Sequence, residues 1–115
     1  MIKIEYSSIA PIITIQECLQ HYINTLNNVI INSITHQKET IYKGIANDLL
    51  VETKKVVFSD TLKPINSKKS MKLKVQEAHV LVISFLHYQQ TVISPNDPVH
   101  YQVEALKQQL HPQTV

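Results

Sequence analysis

The stretch MKLKVQEAHVLVISFLHYQQTVI, residues 71–93, decides the fold. Stepping by three and four, Met71, Val75, Ala78, Val82, Phe85, Leu86 and Gln89 line one stripe of a helix. Val80, Leu81 and Ile83 point away from that stripe, so Ala78 to Leu86 is apolar nearly all the way round. A helix of that kind is enclosed, either within its own fold or between its fold and a partner. Val80–Leu86 is also rich in β-branched residues, and a buried strand is the competing reading of it. Helix is preferred because the stripe runs from Met71 to Gln89 without a turn signal.

Outward from this segment, Ser59–Ser70 reads as one long loop, punctuated by Asp60, Pro64, Asn66 and Ser67. Before it, Thr40–Phe58 sets Tyr42, Ile45, Ala46, Leu49, Thr53, Val56 and Val57 on one helix face, with Lys43, Asn47 and Lys54 opposite. Gly44 inside that helix costs about 1 kcal/mol against alanine, which a close helix contact would explain. An earlier stripe of Ile9, Ile12, Gln16, Leu19, Ile23, Leu26, Ile30 and Ile34 marks a first helix, entered through Ser7 or Ser8 and Pro11. Thr35–Thr40 is the polar connection between these two. Met1–Tyr6 alternates apolar and charged residues, as a short strand or an extended arm does. Beyond residue 93, Asp97 caps a last helix and Pro98 opens it. Val99, Val103, Leu106 and Leu110 form its seam, and His111-Pro112 is expected to end it.

The expected fold is therefore all-α. It is a single domain, residues 1–115, holding a largely antiparallel four-helix bundle with a short N-terminal extended arm. Its helices lie near Ser8–Thr35, Thr40–Phe58, Lys69–Thr91 and Asp97–Leu110, and the third is expected to be the most buried. Composition agrees. Gly44 is the only glycine, whereas a β-rich domain of 115 residues draws on many for its turns. A hydrophobic fraction of 43% with 17% charged residues is globular rather than disordered. Cys18 is alone, so no internal disulfide forms, and the N-terminus makes a poor signal peptide. The longest apolar run is far short of a membrane span. A cytoplasmic protein without membrane attachment is the expectation.

Candidate chemistry is sparse. Six histidines invite a metal search, but neither the Glu-x-x-His pairs of di-metal bundles nor helical His pairs at four-residue spacing occur. His79, beside Val82 and Leu86, is the candidate buried polar site; a hydrogen-bonded core histidine is its ordinary explanation. Cys18 and His21 are one turn apart, yet no oxyanion donor or third orienting residue accompanies them. Cys18 then reads as a semi-exposed cysteine. Asp48 and Glu52, with Lys55 nearby, look like a solvated helix edge rather than an acid–base pair. No glycine-rich phosphate loop exists. No catalytic residue, metal ligand or cofactor site is therefore assigned.

Charge is the one asymmetric feature. The net charge is +2, and all eleven basic residues are lysine. Lys54, Lys55, Lys63, Lys68, Lys69, Lys72 and Lys74 share a stretch whose only acid before Lys74 is Asp60. Such a basic patch suits phosphate backbone or an acidic protein partner. Against nucleic acid stand the lack of arginine and of any aromatic other than Phe58 in the stretch. A solvated loop is the plain reading. The functional expectation is a non-enzymatic interaction or assembly module acting as a homodimer. Its surplus apolar surface is expected from Ala78–Leu86 together with Ile13, Ile31, Tyr22 and Val29. The alternatives are a metal- or ligand-binding bundle around His79 and weak nucleic-acid binding through the lysines.

Overall fold

In the computed structural model, which describes residues 2–32 and 37–114, the alternating N-terminal segment is a strand, β1 (Ile2–Tyr6). Ile2, Ile4 and Tyr6 point into the core while Lys3 faces solvent. Its partner is β2 (Lys69–Leu73), antiparallel, in the register Ile2 with Leu73, Ile4 with Met71 and Tyr6 with Lys69. Four helices complete the described chain: α1 (Ala10–Asn32), α2 (Gln37–Leu62), α3 (Val75–Thr91) and α4 (Pro98–Thr114). The protein is thus mostly helical, with a small two-stranded sheet: the N-terminal segment, expected as a strand or an extended arm, is a strand with a partner that was not expected.

β2 corrects the expected start of the third helix. Lys69–Leu73 is extended, and α3 begins only at Val75. The Lys74 N–H donates to the Glu77 carboxylate at 2.8 Å, so Glu77 in the first turn satisfies a backbone donor that the helix itself leaves open. The expected loop from Ser59 also shrinks, because α2 runs on to Leu62. Its end is closed by Lys63 N–H to the Ser59 carbonyl at 2.9 Å and by Ile65 N–H to Asp60 Oδ1 at 2.9 Å. Val80–Leu86 is helical, so the strand alternative is excluded for that segment.

The core faces differ from the expected stripe as well. Ala78, Val80, Leu81, Ser84 and Phe85 are the buried residues of α3, whereas Val75 and Leu86 are exposed. The inward face is therefore rotated about one residue position, roughly 100°, from the stripe that includes Val75 and Leu86. The buried Ser84 hydroxyl is satisfied within the helix, donating to the Val80 carbonyl at 2.9 Å. The largest share of the core comes from α1, through Ile12, Ile15, Cys18, Leu19, Tyr22 and Ile23, so α3 is not the most buried helix. Each such buried isoleucine or leucine contributes about 1.5–3 kcal/mol of transfer free energy. The side chains of Ile30 and Ile31, with Ile34 and Thr35, lie outside the described residues.

α2 packs chiefly on α1 and less on α3. Ala46, Leu49, Leu50 and Thr53 are buried, and Tyr42, Ile45, Val56 and Val57 pack against them, which is the expected face. At the other end of the chain, Asp97 Oδ1 accepts the Val99 N–H at 2.9 Å and Pro98 opens α4, also as expected. The helix does not stop at Leu110 but continues to Thr114. A proline forfeits one helix hydrogen bond, and the preceding turns are already held by the buried Val103, Leu106 and Leu110.

Candidate functional site

The seven lysines of the expected patch are all exposed, but they are distributed over four elements of backbone. Lys54 and Lys55 sit on α2, Lys63 and Lys68 in the connection after it, Lys69 and Lys72 on β2, and Lys74 at the entry to α3. A cleft of about 220 Å³ between α2 and the ribbon brings Lys55, Lys63 and Lys69 together with Tyr6 and Asp60. Lys72 lines a second cleft of about 340 Å³, where Glu52 and Glu77 oppose it. Lys68 is spent on Glu5, at 2.7 Å. That hydrogen bond, and then the Lys68 charge, hold the Glu5 carboxyl below its ordinary range. Carboxylates from elsewhere in the sequence thus interleave with the lysines, and the patch is mixed in sign where the sequence alone made it basic.

His79 is exposed, not buried. Its Nε2 lies 3.3 Å from the Tyr42 hydroxyl, and the two rings meet edge to face at 5.8 Å. The rotation of the inward face of α3 puts it opposite Leu81 and Phe85, which removes the basis for a polar site in the core. Cys18 is fully buried rather than semi-exposed, and burial pushes its thiol up to about 12. A thiol that holds its proton so firmly supplies no nucleophile for His21. Asp48 and Glu52 are exposed, with Glu52 3.1 Å from Lys55.

The structure makes one histidine cluster that the sequence did not suggest. His21 on α1 and His87 on α3 have ring centroids 5.2 Å apart, and His21 Nε2 lies 3.1 Å from the Thr91 hydroxyl. Tyr88 closes one side, 5.8 Å from the His21 ring. Burial, and then the nearby His87, lower the His21 pKa from its ordinary value. The cluster has no third ligand: among the described residues no group of three His, Cys, Asp or Glu side chains is placed to hold a metal. Nothing in either sequence neighbourhood signals this pair, since His21 lies on the polar face of its helix and His87 lies away from the expected stripe of its own.

The remaining feature is apolar. The face of α2 turned away from α1 exposes Ile41 (62%), Val51 (51%), Phe58 (65%) and Leu62 (74%). Gly44 lies on the same face, also exposed. Of the four α1 residues on which surplus surface was expected, Tyr22 is buried, Val29 half-buried and Ile13 40% exposed, while the Ile31 side chain lies outside the described residues. The apolar surplus therefore lies mainly on the second helix, not the third. No helix among the described residues is long and apolar enough to cross a membrane. Comparison of the chain with family models, curated proteins and solved structures gives no match.

Proposed function

We propose that this protein is a non-enzymatic interaction and assembly module that acts as a homo-oligomer, a dimer in its simplest form. The observation that carries the reading is the outer face of α2, where Ile41, Val51, Phe58 and Leu62 are exposed, with no element among the described residues covering them. Soluble monomers seldom keep such apolar surface together without a use for it. The reading includes a largely antiparallel bundle, supported by the short connection, residues 92–97, between α3 and α4. It also includes a cytoplasmic location, supported by the lone, buried Cys18. Sedimentation of the full chain up to the upper micromolar range tests it. A species of twice 13.2 kDa is expected, and a particle of 13.2 kDa at every concentration would overturn the reading.

A further inference from the structure

Resting on the homo-oligomeric reading above, we propose that the outer face of α2 is the seam between two copies of this chain, antiparallel and related by a two-fold axis beside Val51. Along this face Ile41, Gly44, Asp48, Val51, Lys55, Phe58 and Leu62 recur at alternating steps of three and four, and all are exposed. That spacing is the one by which two helices lie alongside each other at a shallow angle. The same helix buries Ala46, Leu49, Leu50 and Thr53 on its opposite side. α2 is therefore built with two faces, one for the core of its own chain and one that the described residues leave open.

The strip is complementary to itself when reversed. Turning it about Val51 sets Asp48 against Lys55 of the second copy, and the symmetry makes that contact twice. The same turn places Phe58 over Gly44 and Ile41 near Leu62. A parallel arrangement would instead set Asp48 on Asp48 and Lys55 on Lys55, which is repulsive at both levels. Charge thus chooses the direction, and size matches it, since the largest side chain of the strip falls on the residue without one.

Gly44 supports this independently. Its φ is not positive, so no turn or left-handed conformation requires glycine there. A Cβ added to it would meet nothing within 4 Å, so packing inside the chain does not require glycine either. Within the protomer it is only a loss, about 1 kcal/mol against alanine in a helix interior. Close approach of another body to the helix is the remaining use for a missing side chain. Lys55 is not withheld from the contact. Its pairing with Glu52 has the two side chains 68% and 58% exposed, and exposed pairs of that kind are easily exchanged.

From Ile41 to Leu62 the strip is about 30 Å long at 1.5 Å per residue. At a helix width of about 10 Å its projected area is about 300 Å² per copy, less than the roughly 800 Å² per partner of a standard interface, so weak association, with dissociation in the upper micromolar range, is expected. The test is sedimentation of the full chain and three variants, each checked for unchanged helical circular dichroism. Val51→Lys, at the axis, is expected to give monomers. Asp48→Lys places like charges together twice and is expected to weaken dimerisation about tenfold. Adding Lys55→Asp to it restores the complementarity in reverse and is expected to recover the wild-type constant. A wild-type monomer would overturn the homo-oligomer and the seam together. A wild-type dimer indifferent to Val51→Lys would overturn the seam alone. Loss on Asp48→Lys without recovery in the double variant would overturn the antiparallel arrangement.

Discussion

At the scale of single residues, two positions carry more information than their neighbours. Gly44 has no conformational or packing reason inside the chain. Gly44→Ala is therefore expected to stabilise the protomer by about 1 kcal/mol. Urea unfolding in the monomeric Val51→Lys background checks this, and a loss of stability would show a constraint within the chain. His21 is the other. Its pKa is lowered in the fold, first by burial and then by His87. The folded state thus prefers the neutral ring, so the contribution to stability is complete above the ordinary value of 6.5 and lost as pH falls below it. In His21→Gln the decline of stability just below pH 6.5 should be shallower than in the wild type. An unchanged slope would locate the titration elsewhere.

At the scale of elements, the ribbon and α2 show how exposure sets energetic weight. The outer edge of β1 is not left bare: Gln109 on α4 accepts the Glu5 N–H at 2.9 Å and donates to the Glu5 carbonyl at 3.3 Å. One side-chain amide thereby takes the place of a neighbouring strand. Gln109→Ala opens both groups and is expected to cost about 1–2 kcal/mol, read from chemical denaturation. The two phenylalanines make a sharper contrast. Phe85 is fully buried in α3, and Phe85→Ala should cost about 3–5 kcal/mol through lost transfer energy and a cavity. Phe58 is 65% exposed on α2, and Phe58→Ala should change protomer stability by less than about 0.5 kcal/mol while weakening the dimer. Equal costs for the two would contradict this assignment of inner and outer faces.

At the scale of the whole molecule, polar contacts tie α4 to both the first and the third helix. Thr14 on α1 reaches Gln102 on α4 at 3.2 Å, and Gln89 on α3 meets both Glu104 and Lys107 of α4 at 2.9 and 3.0 Å. The hydrogen bond from Lys107, followed by those from Gln89 and Gln108, brings the Glu104 carboxyl down to about 2 from 4.5. A depressed carboxyl stabilises the fold above its unfolded value, and that contribution is lost as pH falls from 4.5 towards 2. The side chain is 38% exposed, so solvent screening keeps the effect modest. Glu104→Gln should flatten the acid limb of the stability curve across that interval, measured by thermal unfolding against pH.

What the sequence determined by itself was local. The periodicity of α1, the inward residues of α2, the Asp97-Pro98 start of α4 and the alternation of β1 all follow from interactions within a few residues, and all are legible. β2 was not. Lys69–Leu73 has only Met71 and Leu73 as apolar residues, and it is a strand because Ile4 and Ile2, far away in the chain, lie opposite them. The phase of α3 was also beyond reach, since a segment apolar on nearly every side has no periodicity to say which side is inner. Packing against α1 and α4 decides it, and so decides that His79 faces solvent. The His21–His87 pair and the mixing of Glu5, Glu52 and Glu77 into the lysine surface arise the same way. Sidedness and juxtaposition are properties of helices and strands in contact, and only the tertiary structure brings them into contact.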